Sequence, residues 1–163
     1  MGLFSKRREP KVLVPITDPG VFAPIIALWN MQHYCGYSEP EVAKLLGMWG
    51  TMPPILLSYY RLLGAHKELN QTFCHLMEPS NASPVLETQD YEYLVFFVEE
   101  QGVYYWGIRL DEMATDEDPP VYVTEGPQNE GEPETWLLES AHLSEFLNTM
   151  AHFSAAYALP SRR

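Results

Sequence analysis

Basic side chains are almost absent from the second half of this 163-residue chain: between residues 87 and 145 a single Arg109 stands against sixteen Asp and Glu, a net charge of −15. The potential of such a surface sums over many side chains, repelling the phosphates of nucleic acid and attracting cations. Nucleic acid is therefore not an expected partner, and a basic protein is. Acidic loops also keep a domain in solution, and composition alone does not separate the two readings. Six of the ten Lys and Arg lie at the ends, as Lys6, Arg7, Arg8, Lys11, Arg162 and Arg163. They read as flexible basic tails, with a phosphate-seeking or membrane-surface arm as the alternative.

Cysteine is scarce too. Cys35 and Cys74 are too few for a disulfide framework, and a cytoplasmic protein keeps both as thiols. His33 with Cys35 and Cys74 with His75 lack zinc-finger spacing and read as packing residues. No apolar run approaches the roughly 18 residues that span a bilayer, and MGLFSKRREP lacks the apolar stretch of a signal peptide. Gly2 follows Met1, but Lys6 replaces the Ser or Thr of a myristoylation signal. The chain is expected to stay in the cytoplasm, with no membrane partner.

Catalytic signatures are missing as well. There is no G-x-S-x-G, H-E-x-x-H, Walker loop or dinucleotide fingerprint, and the five histidines are scattered. His142 with Glu145 has no convergent third group, so it reads as a chance pairing. Asp111-Glu112 and Asp116-Glu117-Asp118 lack the alternation, central Gly and terminal Glu of a calcium loop. No catalytic residue, metal or cofactor is expected.

What the chain does have is apolar material, at 46% hydrophobic and 13% aromatic residues, enough for one core in one domain spanning residues 12–163 behind a tail of residues 1–11. Four prolines between residues 10 and 24 favour an extended arm. A first helix is expected from Pro24 to Cys35, stopped by Gly36. Ser38 and Glu41 form a capping-box pattern ahead of a short helix stopped by Gly47, and Pro53-Pro54 leads a third helix up to Gly64. Residues 67–77 read as another helical turn or two.

Strand signals follow. From Tyr91 to Val98 both alternate faces are apolar, which predicts a central strand covered on both sides. Glu100-Gln101-Gly102 turns the chain, and residues 103–109 return antiparallel, Gly107 permitting a bulge or close packing. Pro119-Pro120 delays pairing to about Val121, and Trp136-Leu137-Leu138 makes a further strand. Ser140 is the expected cap of a last helix bearing Leu143, Phe146, Leu147, Met150 and Phe153 on one stripe. Trp106 and Trp136 read as core aromatics between sheet and helices.

The order of these elements resembles the SUKH superfamily, which groups fungal cell-wall synthesis regulators with bacterial immunity proteins. Glu99, Gln101, Gly102, Val103, Trp106 and Asp118-Pro119-Pro120-Val121 carry the resemblance, with Trp49-Gly50, Pro53 and the Tyr60-to-Gly64 stretch before them. Glu100 departs from it, standing where the family turn usually has Asn, and a carboxylate only accepts where an amide also donates. The resemblance implies an α+β domain, N-terminal helices and a C-terminal helix packed on a mostly antiparallel sheet. It also implies immunity, in which a non-enzymatic protein binds and blocks a toxin, often a nuclease, from a neighbouring cell. The alternative is a regulatory or scaffold module of the same fold that binds a cellular partner. Candidate partner contacts are Glu99, Glu100, Gln101, Asp111, Glu112, Asp116, Glu117, Asp118, Glu130, Glu132 and Glu134. Asp118 also reads as a loop-shaping acceptor, and solvation alone accounts for the last three.

Overall fold

The doubly apolar run and its return form the middle of a six-stranded antiparallel sheet in the computed structural model, which describes residues 14–16, 20–126 and 129–158. The expected tail of residues 1–11, Arg162 and Arg163 lie outside the described residues. Two residues near the start, β1 (Val14–Pro15), pair with β2 (His33–Tyr34) apart from the main sheet. The main sheet contains β3 (Cys74–Leu76), β4 (Leu86–Glu87), β5 (Glu92–Glu99), β6 (Tyr105–Arg109), β7 (Val121–Thr124) and β8 (Leu137–Ser140). Its order is β3-β5-β6-β7-β8, with β4 paired beside the start of β5. The fold is α+β.

A bulge sits in β5, since Val95 faces Gly107 while Phe97 faces Trp106, leaving Phe96 as the extra residue. Phe96 and Phe97 thereby both enter the core, their ring centroids 5.6 and 5.7 Å from that of Phe146. Leu94, Ile108 and Trp106 share that side, and Tyr93, Val95 and Val98 take the other by the alternation of a strand. The bulge falls here and not at Gly107, whose role is close packing: a Cβ there would sit 3.2 Å from the Trp136 ring and from the Leu94 carbonyl oxygen.

The helices are α1 (Ala23–Leu28), α2 (Glu39–Trp49), α3 (Pro54–Leu62), α4 (Lys67–Asn70), the single turn α5 (Leu110–Met113) and α6 (Leu143–Ala158). The capping box forms as expected, with Ser38 N–H donating to the Glu41 carboxylate at 2.8 Å and Glu41 N–H returning to Ser38 Oγ at 3.4 Å. Leu143, Phe146, Leu147 and Met150 of α6 are buried against the sheet side of the core, and Phe153 at the end of the stripe is exposed.

Several boundaries differ from the sequence reading. α1 stops at Leu28, because Asn30 turns the chain with φ 48°, and the next residues leave to form β2. Gly36 stops no helix. It lets the backbone press against the end of α3, where Cys35 N–H donates to Leu62 and Tyr37 N–H to Tyr60 at 2.8 and 2.9 Å. Gly47 lies inside α2, since an internal Gly costs only about 1 kcal/mol; the terminator is Gly50 at φ 77°. The helical reading of 67–77 holds only for the four residues of α4. Beyond them, Cys74–Leu76 is captured as an edge strand by β5. Asn70 anchors that break, donating to the Leu63 and Gly64 carbonyls and accepting the Tyr59 hydroxyl at 2.6 Å, all buried.

Candidate functional site

The candidate contact residues divide between the two ends of the β5/β6 hairpin. At the turn end, Gly102 adopts φ 71° and the Glu99 carboxylate accepts the backbone N–H groups of Gln101 and Val103 at 3.1 and 3.2 Å. Glu99 is only 6% exposed, so its charge holds its own turn. Glu100 and Gln101 are the exposed members of the group.

At the opposite end, Arg109 lies between aromatic rings and carboxylates. Its guanidinium carbon is 3.4 Å from the Tyr91 ring centroid, its Nε donates to Asp111 Oδ1 at 3.0 Å, and a second nitrogen bonds Oδ2. Glu112 stands 3.7 Å from the guanidinium and accepts the Tyr122 hydroxyl at 2.8 Å. The hydrogen bond from Arg109 holds the Asp111 carboxyl below its ordinary range, and the same bond drives Arg109 further up. The one cation of residues 87–145 is thus committed internally. Asp116 accepts the Asp118 N–H at 2.9 Å, and Glu117 is exposed. Asp118 accepts both the N–H and the hydroxyl of Ser144, at 2.8 and 2.6 Å. Asp118, and not Ser140, satisfies the first turn of α6; Ser140 Oγ donates to the His142 carbonyl instead.

The connection from β7 to β8 returns to the turn end. Glu130 and Glu132 are exposed there, Glu132 accepting from the Asn129 side chain at 2.9 Å. Glu134 is half-buried, and its Oε2 is shielded from solvent with no hydrogen-bond partner among the described residues. Solvation therefore does not account for Glu134 as it does for Glu130. Beyond it Trp136 stacks on Tyr93, centroids 4.0 Å apart and planes 7° off parallel. Trp106 lies between sheet and helix as expected, 6.0 Å from Phe146. Trp136 does not: it covers the helix-free face of the sheet over Gly107.

That helix-free face holds what the sequence did not disclose. The reading of β5 as covered on both sides holds only beneath Trp136. Past it, Val95, Val98, Leu86, Met77, His75 and Tyr105 line an open recess of about 480 Å³, with Glu134 at its margin and Glu99 and Glu100 beside the turn. The only signal in the sequence was the apolar second face of β5, and a covered strand shows the same pattern. The structure thus brings Glu99, Glu100 and Glu134 to one recess and leaves Asp111 to Asp118 at the far end.

A larger groove, about 1010 Å³, runs between the β2 segment and the helices and mixes Lys44, Arg61 and Lys67 with Glu41, Glu68 and Glu78. Its Tyr37 hydroxyl is pushed up to about 12, first by burial and then by Glu78 and Glu41. Among the described residues no three His, Cys, Asp or Glu side chains are grouped to hold a metal ion, and Cys35 and Cys74 are free. No helix among them is long and apolar enough to cross a membrane. No family model, no curated protein and no solved structure matches the chain.

Proposed function

We propose that this chain is a non-enzymatic immunity-type protein of the SUKH kind, cytoplasmic, which neutralises a contact-delivered bacterial toxin by covering a basic surface on it. A nuclease is the toxin class that fits best, since it must present Lys and Arg to phosphate, and an acidic protein can occupy that surface as a decoy. The observation that carries the reading is the acidic stretch of residues 87–145, whose lone Arg109 is already engaged by Asp111, Glu112 and Tyr91. Residues 87–145 hold no second Lys or Arg to offset the field of Glu100, Glu117, Glu130 and Glu132, all exposed.

The test begins with the gene immediately upstream of the one encoding this chain. Its product, expressed alone and together with this chain, should arrest growth only when alone. The isolated pair should bind more weakly as salt rises, because screening removes long-range attraction between opposite charges. An acidic partner, or a toxin whose effect persists on co-expression, would overturn the reading.

A further inference from the structure

The recess on the helix-free face has the make-up of an arginine pocket, and we propose that it receives an arginine side chain projecting from the partner protein. This deepens the proposed function and rests on it for the identity of the partner, though the pocket itself is testable alone.

Three features point to a guanidinium on an aliphatic stem. The floor is apolar, made of Val95, Val98, Leu86 and Met77, and suits three methylenes. Carboxylates stand at the margin, Glu134 and Glu100, and no Lys or Arg is among the residues lining the recess. One oxygen of Glu134 is out of solvent with no donor among the described residues, a costly state for a carboxylate whose charge a cation seated in the neighbouring recess would offset. Tyr105 adds an aromatic side chain, half-buried, with its hydroxyl 3.4 Å from where a Cβ on Gly102 would sit.

The chain already solves this recognition problem once. At the other end of the hairpin, Arg109 is held by a tyrosine ring beneath its guanidinium and by a carboxylate that takes two of its nitrogens. Tyr105 and Glu134 bring the same two kinds of group, a tyrosine and a carboxylate, to the lining of the recess, which contains no Lys or Arg. Arginine suits such a site better than lysine, being planar, more weakly hydrated and able to stack on a ring while pairing with a carboxylate. His75, on β3 opposite Val98, is the one titratable base that faces the recess.

The probe is N-acetyl-arginine amide, titrated into the full chain and followed by amide chemical shifts, with N-acetyl-citrulline amide as its uncharged counterpart. Saturable shifts are expected at Val95, Val98 and Tyr105 with the arginine probe, with a dissociation constant on the order of millimolar for one side chain. Citrulline should bind about tenfold more weakly, and Glu134→Gln should weaken the arginine probe by a similar factor. Glu39→Gln, an exposed change on α2 outside the recess, should leave probe binding unchanged. Shifts that do not saturate, equal binding of citrulline, or undiminished binding to Glu134→Gln would each overturn the pocket. The citrulline comparison needs no variant and stands even if Glu134→Gln fails to fold. A basic toxin that binds normally to Glu134→Gln would refute the pocket and leave the proposed function standing. Arginine-probe binding with no basic toxin partner would do the reverse.

Discussion

Asp118 and Ser144, 26 residues apart, are joined by two hydrogen bonds from one carboxylate, to the backbone N–H and to the hydroxyl. The link ties the loop before β7 to the first turn of α6, the helix that supplies Phe146 to the core. Asp118→Ala should therefore cost about 1 to 2 kcal/mol, in the range of a lost helix cap, and more than Ser140→Ala. Urea denaturation of both variants checks this. Equal losses would mean that Ser140 contributes as much to the cap as Asp118.

Gly36 faces α3 so closely that a Cβ would lie 1.6 Å from the Arg61 carbonyl oxygen. Neither backbone can yield without losing the hydrogen bonds that Cys35 and Tyr37 make there. Gly36→Ala should lose at least about 3 kcal/mol, the upper range of overpacking. Gly47→Ala, with nothing within 4 Å, should be neutral or stabilising. The same denaturation series separates the two, and a mild Gly36→Ala would contradict the close approach.

The two thiols should differ in reactivity and leave a mark on alkaline stability. Cys35 is half-buried and Cys74 buried, so a thiol reagent should modify one quickly and the other only on unfolding. Burial, then Glu99, pushes the Cys74 thiol from 9.0 up to about 11, and Tyr37 rises from 10.0 to about 12. Both folded values lie above the unfolded ones, so the folded state holds these protons more tightly. The associated stability is complete below about pH 9 and is lost as pH climbs through 11 and 12. Urea midpoints measured across that window should fall, and a flat profile would contradict the burial of these groups.

Exposed charges at the turn end should act on the rate of encounter with a basic partner. The double variant Glu130→Gln and Glu132→Gln should slow association several-fold at low salt, flatten its salt dependence and leave dissociation nearly unchanged. Stopped-flow association at two ionic strengths measures this, with circular dichroism confirming the fold. Unchanged rates would move the contact to Asp111–Asp118 or to the recess.

Local chemistry was legible where it decides alone. The capping box at Ser38 and Glu41, the delayed pairing after Pro119-Pro120 and the hairpin around Gly102 all form where the residues indicate. What escaped the sequence were choices made by partners distant in the chain. Asp118 caps α6 from across the fold, β5 captures Cys74–Leu76, and α3 claims Gly36. Of the candidate contacts, composition correctly indicated an acidic surface. It had no means of distinguishing Glu99, absorbed by its turn, from Glu100, exposed one residue later.

The extra residue at Phe96 sets the parity of everything after it on β5. With it, Phe97 points into the core and Val98 into the recess; in an unbroken strand the two would trade places. Deleting Phe96 would remove the bulge and leave Val95 opposite Gly107, Phe97 opposite Trp106 and Val98 opposite Tyr105, so the strand beyond would keep its faces and the core would lose only one ring. Keeping Phe96 but pairing it with Trp106 would instead turn Val98 inward, push Phe97 out into the recess and take the Glu99 carboxylate off its turn, so this one irregularity governs the core, the turn and the recess together.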